Sequence, residues 1–266
     1  MSGLLKPQAA ISPKFFYDDL GSHLFEAITL LDEYYPTRTE ATIFRANANE
    51  IALSAGAGTT LIDLGAGNCA KAASLFAALA PASYVAVDIS VEFVRRAVER
   101  LAASHPGIRM AGVGMDFSAS LALPEEIRHD IAETRPLFFY PGSSIGNFTP
   151  DQALAFLRRI QAQARHGGLL IGVDLVKPAA ILERAYDDAL GVTAAFNRNI
   201  LRNVNRHVGA DFEPARWRHV ALFNQVQSRV EMHLEASETM TVHWDGGERA
   251  FAAGERIHTE FACKYT

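Results

Sequence analysis

The sequence is poor in cysteine and has no excess of basic residues. Its 266 residues include two cysteines, Cys69 and Cys263, whose spacing matches neither a metal site nor a disulfide framework, so we expect free thiols and no bound metal. The formal net charge is −5, and the charges are spread without the basic stripe that phosphate backbones require. The composition therefore predicts no nucleic-acid partner.

Long hydrophobic runs are also missing. No apolar run reaches about 18 residues, the length of a membrane-spanning helix, and residues 1–7 lack the apolar stretch of a secretory signal. We therefore expect no membrane association and a cytoplasmic location. Internal repeats and low-complexity tracts are absent too. With 49% hydrophobic and 21% charged residues, the chain has the composition of a globular protein with a sizeable core.

Hydrophobic periodicity divides the chain into three stretches. Apolar residues at helical spacing predict helices between residues 15 and 55, the second beginning near Pro36 with Thr37 as its cap. After Pro178 a helix runs toward Leu201. From residue 226 onward, apolar and polar residues alternate and residues 245–247 have the composition of a hairpin turn. This pattern predicts antiparallel strands.

The middle stretch alternates strands with helices. We predict strands near 60–64, 83–88, 108–113, 136–141 and 168–174, with helices at 69–80, 90–104 and 150–165. This alternation is typical of parallel strands joined by right-handed crossovers, which is a doubly wound α/β sheet. The predicted organisation is a helical segment at 1–57, the parallel-sheet domain at 58–176, and an α+β remainder at 177–266 that forms a second lobe with the first segment.

The first βα turn has the pattern of an adenosine site. The apolar stretch at 61–64 leads into Gly65 and Gly67, and a second strand ends at Asp88, 21 residues after Gly67. Glycine permits positive φ and lets a ligand approach bare backbone, while Asp88 can accept hydrogen bonds from ribose hydroxyls. Because Gly65-x-Gly67-x-x-Ala70 also fits a dinucleotide fingerprint, an NAD-dependent oxidoreductase and an ordinary strand-to-helix turn both stay open.

Two later loops carry further candidates. Asp116 and Phe117 follow the third strand, where a carboxylate and a ring can bind adenine, or alternatively cap a helix and fill the core. After the fourth strand, residues 143–147 place small side chains and the neutral amide of Asn147 at the mouth of the sheet. These residues are typical of a site that faces a substrate with uncharged hydrogen-bond donors and acceptors, rather than of an acid–base dyad.

Several longer strings extend beyond these general patterns. They are FYDDLGSHLFE (16–26), LDEYYPTRTE (31–40), DLGAG (63–67), YPGSSIGNF (140–148), AYDD (185–188), GVTAAFN (191–197) and RIHTE (256–260). Together they resemble the histidine-specific Nα-methyltransferases, the S-adenosylmethionine-dependent family that opens ergothioneine biosynthesis. The resemblance spans nearly the whole chain. It implies a Rossmann-like class I methyltransferase sheet, a second α+β substrate-binding lobe, S-adenosyl-L-methionine as the cofactor, and conversion of L-histidine to its trimethylated form, hercynine.

The resemblance also implies roles for individual residues. The cofactor-binding residues would be Gly65 and Gly67 at the methionine part, Lys71 at its carboxylate, Asp88 at the ribose, and Asp116 with Phe117 at the adenine. The amino acid would be held by Tyr17 and Tyr186 at its carboxylate, Asn147 at its α-amine, Tyr34 and Glu260 at its imidazole, and Met232 as a pocket wall. Asn147 and Tyr17 would be the catalytic pair, since a neutral amide holds the amine without raising the pKa of that amine.

Two features depart from the family pattern. Ala262 stands two residues after Glu260, where the family has a serine, and this removes a hydrogen bond of about 0.5–1.5 kcal/mol. The chain ends at Thr266, where relatives return to the sheet, so we expect either a fragment or a sheet closed differently. The expected state is a monomer, although a fragment would expose a sheet edge and self-associate. An amino-acid N-methyltransferase of altered substrate and an inactive cofactor-binding module remain alternatives.

Overall fold

The computed structural model describes residues 2–164 and 166–266 of the chain. They fall into two compact units. We call Pro36–Asp174 the parallel-sheet unit, and Met1–Tyr35 together with Leu175–Thr266 the antiparallel-sheet unit. This boundary divides the segment predicted at 1–57, because the long helix that follows Tyr35 packs on the parallel sheet through Phe44, whose ring centroid lies 5.5 Å from that of Phe139.

The parallel-sheet unit is built on parallel strands alone. Within the described residues its sheet has the order β3-β2-β1-β4-β5. The strands are β1 (Thr59–Leu64), β2 (Ser83–Asp88), β3 (Arg109–Gly114), β4 (Arg135–Tyr140) and β5 (Gly168–Ile171). Every neighbouring pair is parallel, which confirms the predicted doubly wound α/β fold. The strand order reverses between β1 and β4, and ligands of such sheets bind at that point.

Helices of this unit cover the sheet. They are α2 (Tyr35–Ala55), α3 (Ala70–Ala73), α4 (Phe76–Leu79), α5 (Val91–Ser104), α6 (Glu125–Glu133) and α7 (Pro150–Ala164). Every residue of β1 is buried, as expected of a central parallel strand with both faces covered. Even its polar residues Thr59, Thr60 and Asp63 are therefore buried.

Two helix predictions in this unit are wrong. The helix predicted at 69–80 is interrupted between α3 and α4. There the Ser74 hydroxyl donates to the Lys71 carbonyl oxygen at 2.6 Å, and such local side-chain bonds compete with the backbone bonds that would continue the helix. The helix predicted to begin near Pro36 begins at Tyr35, so Thr37 lies inside its first turn and is not its cap. Pro36 can occupy the first turn of a helix because its missing N–H has no partner there.

The antiparallel-sheet unit combines three helices and two small sheets among the described residues. The helices are α1 (Asp19–Thr29), α8 (Ala179–Tyr186) and α9 (Val192–Val208). The strands are β6 (Trp217–Asn224), β7 (Arg229–Ala236), β8 (Met240–Trp244), β9 (Gly247–Phe251) and β10 (Arg256–Cys263). They form a sheet of order β10-β7-β6 and a β8-β9 hairpin. The hairpin turn predicted near Gly246 is confirmed by the pairing of Trp244 with Gly247.

The prediction of a single helix from Pro178 toward Leu201 is wrong, because two separate helices, α8 and α9, occupy this stretch. Gly191 has φ +75°, a left-handed conformation that a side chain disfavours. The Asp188 carboxylate then accepts hydrogen bonds from the N–H groups of Val192 (3.0 Å) and Thr193 (2.7 Å). These bonds satisfy the first donors of α9 and start a new helix.

Strand β10 is held on both sides. Along one edge it pairs with β7. Along the other, Ile11 N–H donates to the His258 carbonyl oxygen at 2.9 Å and His258 N–H donates to the Ala9 carbonyl oxygen at 2.8 Å. The N-terminal residues thus cover this sheet edge, and the side chains of β10 are fixed relative to β7. Among the described residues, none of the helices has the length and apolarity to span a bilayer.

Candidate functional site

The turn after β1 presents bare backbone. The N–H groups of Gly65 and Ala66 donate to the Val87 carbonyl oxygen at 2.8 Å and 3.1 Å, which folds the turn against β2. Gly65 and Gly67 have φ values of +77° and +52°, so both favour glycine. A Cβ added to Gly67 would meet no atom within 4 Å. Open space therefore adjoins the backbone at Gly67.

Asp88 ends β2 beside this turn. Its carboxylate accepts hydrogen bonds from the N–H groups of Gly67 and Ser90, each at 2.9 Å. Burial raises the pKa of Asp88 above its usual value, against the lowering effect of these backbone bonds. A carboxylate has about four lone-pair sites, so Asp88 retains capacity for a ligand's hydroxyl groups. The structure thus brings Gly65, Gly67 and Asp88 together, as the sequence pattern predicted.

Phe117 lies against the same turn. A Cβ on Gly65 would lie 3.7 Å from the Phe117 ring, and that ring contacts Tyr140 and Phe156, each with centroids 5.9 Å apart. Asp116 accepts hydrogen bonds from the N–H and the hydroxyl of Ser118. It therefore caps a turn, whereas the alternative interpretation expected a helix cap.

Lys71 belongs to a small charged network. Its Nζ lies 2.7 Å from Glu40 Oε2, while Glu40 Oε1 accepts a hydrogen bond from Gly142 N–H at 2.6 Å. Glu40 therefore ties α2 and α3 to the loop after β4. Sequence reasoning gave Glu40 no role, because a single carboxylate on an exposed helix has no local signal.

Asp63 is a buried carboxyl beneath the glycine turn. Tyr84 donates its hydroxyl proton to Asp63 Oδ2 at 2.8 Å, and among the described residues Asp63 Oδ1 has no hydrogen-bond partner. Burial raises the pKa of Asp63 to about 7, opposed by the Tyr84 hydrogen bond and aided by the charge of Asp88. The end of β1 therefore carries a carboxyl group that titrates near neutral pH.

Asn147 ends a 3-10 turn, Ser144–Asn147, that follows β4. Ser143 has φ +59°, and its hydroxyl oxygen accepts a hydrogen bond from Asp174 N–H at 2.8 Å. Ser144 donates its hydroxyl to the Pro141 carbonyl oxygen at 3.1 Å. The two serines thus fix the loop that places the half-buried Asn147 after a strand adjoining β1.

In the antiparallel-sheet unit, edge-to-face ring contacts link the three predicted tyrosines. Tyr17 contacts Phe25 at 6.0 Å between ring centroids, Phe25 contacts Tyr34 at 6.3 Å, and Tyr34 contacts Tyr186 at 6.2 Å. Phe196 of α9 also packs edge-to-face on Tyr17, with 5.9 Å between the ring centroids. The cluster therefore joins residues far apart in sequence into one aromatic wall with three hydroxyl groups.

Glu260 and Met232, predicted at the imidazole and as a pocket wall, lie on neighbouring strands. They lie opposite each other on β10 and β7, and both are buried. Burial raises the pKa of Glu260 to about 7, and the positive charge of Lys264 opposes that rise. Because side chains alternate along a strand, Ala262 lies on the same face as Glu260, and it is also buried.

Two residues that sequence reasoning missed hold Tyr186 in place. Lys264 Nζ donates to Tyr186 Oη at 3.0 Å. His219 Nε2 lies 2.8 Å from the Tyr186 carbonyl oxygen, and Asn197 Nδ2 lies 2.8 Å from His219 Nδ1. This arrangement requires the neutral tautomer with its proton on Nε2, and burial lowers the pKa of His219 accordingly. Neither Lys264, which follows the end of β10, nor His219 of β6 belongs to a sequence motif that could have marked it.

The parallel sheet and the residues at the ends of β1 and β2 define a class of protein. A parallel sheet of order β3-β2-β1-β4-β5, a bare glycine turn after β1 and an acidic residue at the end of β2 are those of a Rossmann-like domain that binds an adenosine-containing cofactor. Among the described residues, no group of three or more His, Cys, Asp or Glu side chains is placed to hold a metal ion.

The chain belongs to the family described as "Histidine-specific methyltransferase, SAM-dependent", whose model matches residues 1–266. It is similar to the histidine N-alpha-methyltransferase of Mycolicibacterium smegmatis, with 42% identity over 99% of this chain and 82% of that protein. The enzyme of the same name from Mycobacterium tuberculosis is 41% identical over the same shares. A 4-dimethylallyltryptophan N-methyltransferase of Claviceps purpurea is 27% identical over 70% of this chain and 57% of that protein.

The family assignment makes the chain an S-adenosylmethionine-dependent methyltransferase, and the NAD-dependent oxidoreductase is set aside. The glycine turn fits this cofactor on structural grounds. Open space adjoins the backbone at Gly67, the Phe117 ring borders Gly65, and Asp88 lies within hydrogen-bond distance of the turn. Each predicted cofactor-binding residue is thus in the same unit.

Proposed function

We propose that this protein transfers methyl groups from S-adenosylmethionine to the α-amine of L-histidine, yielding Nα,Nα,Nα-trimethylhistidine, or hercynine, in ergothioneine biosynthesis. The observation that carries the proposal is the placement of a buried Glu260 opposite Met232. The Glu260 carboxylate is a hydrogen-bond acceptor of the kind that an imidazole N–H needs, and such a bond to a charged acceptor is a strong one. Relatives named histidine N-alpha-methyltransferase, at 41% and 42% identity, support the same substrate.

The cofactor would be held by the turn after β1 and its neighbours. Gly65 and Gly67 would allow close approach, Asp88 would accept from the ribose, and Phe117 with Asp116 would border the adenine. Lys71, already paired with Glu40, would attract the carboxylate of the methionine part. When bound, S-adenosylmethionine supplies a methyl group on a sulfonium centre that is already an activated leaving group.

Asn147 would position the amine that receives the methyl group. Its amide oxygen can accept a hydrogen bond from the amine, while its neutrality leaves the pKa of that amine unraised. Histidine carries a mostly protonated amine near neutral pH, and removal from water favours the neutral form. Positioning of this kind can lower the activation barrier by about 7–11 kcal/mol, which is more than a general base commonly contributes. The chain therefore has no need of an acid–base dyad at the nitrogen.

The antiparallel-sheet unit would recognise the rest of the amino acid. Tyr17 and Tyr186 would donate their hydroxyl protons to the α-carboxylate. Tyr34 and Glu260 would contact the imidazole, and Met232 would form a wall of the same pocket. Since the pKa of Glu260 is near 7, imidazole binding and ionisation of this carboxyl are coupled: an N–H donor stabilises the charged form.

A related amino-acid N-methyltransferase of different specificity is the second candidate. Ala262 favours it, because a methyl side chain beside Glu260 offers the ring no hydrogen bond. The relative from Claviceps purpurea, named for a prenylated tryptophan, shows that N-methyltransferases related to this chain include one named for a larger side chain. A cofactor-binding module without activity is the third possibility.

Mass spectrometry separates the three. The protein is incubated with S-adenosylmethionine and a panel of amino acids that contains histidine, its mono- and dimethyl forms and tryptophan. We expect successive gains of one methyl mass on histidine, ending at the trimethyl form. A gain on another amino acid alone would support altered specificity, and no gain on any amine, with S-adenosylhomocysteine still bound in calorimetry, would support the inactive module. A monomeric state and a cytoplasmic location stay predictions.

A further inference from the structure

Lys264 is a buried cation that the proposed roles leave unexplained. Only 4% of its surface is exposed, and moving a lone ammonium out of water is costly. Its Nζ donates to Tyr186 Oη at 3.0 Å and lies 4.8 Å from the centroid of the Tyr186 ring. The backbone of Lys264 is fixed as well, because its N–H donates to the Ser228 carbonyl oxygen at 2.7 Å. The cation is therefore built into the wall that carries Tyr186.

The chemistry of the contact sets the direction of the hydrogen bond. An ammonium can only donate, so Tyr186 Oη must accept from Lys264, and the phenolic proton must point to a different acceptor. A charge-assisted bond of this kind polarises the hydroxyl group and makes it a stronger donor. Lys264 therefore makes the Tyr186 hydroxyl a stronger donor to an anionic acceptor.

Tyr186 is held in this orientation from three sides. Its ring packs edge-to-face on Tyr34, its carbonyl oxygen receives the His219 Nε2 proton, and its hydroxyl oxygen receives the Lys264 proton. A donor fixed at ring, backbone and hydroxyl is preorganised, which limits the entropy lost on binding.

The charges of the pocket point to the same ligand group. Glu260 lies in β10 and Lys264 directly follows that strand, and the positive charge of Lys264 opposes the rise that burial causes in the pKa of Glu260. An α-carboxylate entering beside a buried Glu260 would bring a second negative charge into a region of low dielectric. Lys264 supplies the positive charge that offsets it.

We propose that Lys264 is a positioning and specificity-determining residue, which directs the Tyr186 hydroxyl to the substrate's α-carboxylate and makes the pocket select carboxylate-bearing amines. This inference rests on the proposed function, because it takes an amino acid as the substrate. Lys264 acts on the carboxylate through Tyr186 and takes no part in the transfer itself.

The test compares Lys264→Met, which removes charge and donor, with Lys264→Gln, which keeps a donor. Steady-state kinetics with L-histidine give KM and kcat, and calorimetry with S-adenosylhomocysteine present gives the affinities of L-histidine and of L-histidinamide, which lacks the negative charge. For Lys264→Met we expect KM for L-histidine to rise about tenfold or more, the effect of losing a charged hydrogen bond, with kcat much less changed. Discrimination against L-histidinamide should fall by a similar factor.

Three comparisons make the result specific. Lys6→Met removes an exposed lysine of the same unit and should change neither affinity. Lys264→Gln should lie between wild type and Lys264→Met, and it replaces Lys264→Met if that variant does not fold. In a Tyr186→Phe background the added loss from Lys264→Met should be small, because the acceptor of its hydrogen bond is already gone.

The outcomes separate the inference from the proposed function. A wild-type chain that binds L-histidine while the Lys264 variants keep its full discrimination against L-histidinamide would overturn the inference alone. Equal losses for L-histidine and L-histidinamide, with weaker S-adenosylhomocysteine binding, would reduce Lys264 to a structural residue and also overturn it. A wild-type chain that neither binds nor methylates L-histidine would overturn the proposed function and the inference with it.

Discussion

Gly67 and Asp88 are joined by a 2.9 Å hydrogen bond from the glycine N–H to the carboxylate. The bond links the turn after β1 to the end of β2, so that the open backbone and the acidic side chain occupy one place. It is possible because Gly67 adopts φ +52°. Local conformation and ligand approach therefore depend on the same residue.

Replacing Gly67 with alanine should separate these two effects when Gly254→Ala is the control. Gly254 also has positive φ, +81°, and a Cβ there also meets no atom within 4 Å. Each substitution should destabilise the protein by about 1–2 kcal/mol, the cost of a left-handed non-glycine residue. Only Gly67→Ala should also weaken S-adenosylhomocysteine binding, by about tenfold or more. Denaturant unfolding and calorimetry measure the two quantities, and equal cofactor affinity in both variants would remove Gly67 from the site.

The parallel sheet could be predicted from sequence because its signals are local. The apolar residues of the buried strands β1 and β2 lead into Asp63-x-Gly65 and Asp88, and helical patterns separate most successive strands. The helix breaks at Ser74 and Gly191 were missed, since a serine side-chain bond and a positive φ are decided by contacts that periodicity does not contain.

Glu260→Gln should weaken L-histidine binding while leaving cofactor affinity unchanged. The neutral amide loses the anionic acceptor for the imidazole N–H, a charge-assisted bond worth about 1.5–3 kcal/mol, so the dissociation constant should rise at least about tenfold. Calorimetry with S-adenosylhomocysteine present measures it. The exposed Glu248 of the hairpin offers Glu248→Gln as a matched control, and similar losses in both variants would contradict the imidazole role.

The same variant should be more stable than wild type at pH 8. Glu260 has its pKa raised from 4.5 to about 7 by burial, so between these values the unfolded chain releases a proton that the folded chain retains. The raised pKa therefore lowers wild-type stability as pH rises through this window, by up to about 3 kcal/mol. Denaturant unfolding of both proteins should show little difference at pH 4.5 and a growing advantage for Glu260→Gln toward pH 8. A difference that does not vary with pH would contradict the raised pKa.

The substrate end of the site could be predicted only in part. The tyrosines and Glu260 lie in strings that resemble a family, and Met232 was assigned to the pocket wall from the same resemblance. Lys264 and His219 had no motif of their own. Lys264 meets Tyr186 across 78 positions of sequence, and His219 meets the Tyr186 backbone across 33. Such pairs depend on where the fold places the end of α8 relative to β6 and to the residue after β10, which strand alternation alone does not determine.

Ala262→Ser should improve the use of L-histidine. Ala262 is buried on the face that carries Glu260, so a hydroxyl there can offer the ring the hydrogen bond that alanine lacks. A gain of about 0.5–1.5 kcal/mol corresponds to a two- to tenfold lower KM, roughly. Ala262→Cys adds similar volume with a much weaker donor and serves as the control. An unchanged KM in the serine variant, or an equal gain in both, would show that the position needs no hydrogen bond.

His258 should make the fold sensitive to mild acid. The pKa of His258 is lowered from 6.5 to about 4, mainly by burial and in addition by the neighbouring His233, whose ring centroid lies 5.3 Å away. Below pH 6.5 the unfolded chain binds a proton at this histidine, whereas the folded chain binds it only near pH 4. The contribution of His258 to the free energy of unfolding therefore falls as pH drops through that window, by about 2 kcal/mol at pH 5. His258→Phe should therefore lose less stability than wild type between pH 7 and pH 5 in denaturant unfolding. His23→Phe, at an exposed position of α1, should keep the wild-type dependence, and parallel curves for all three proteins would contradict the assignment.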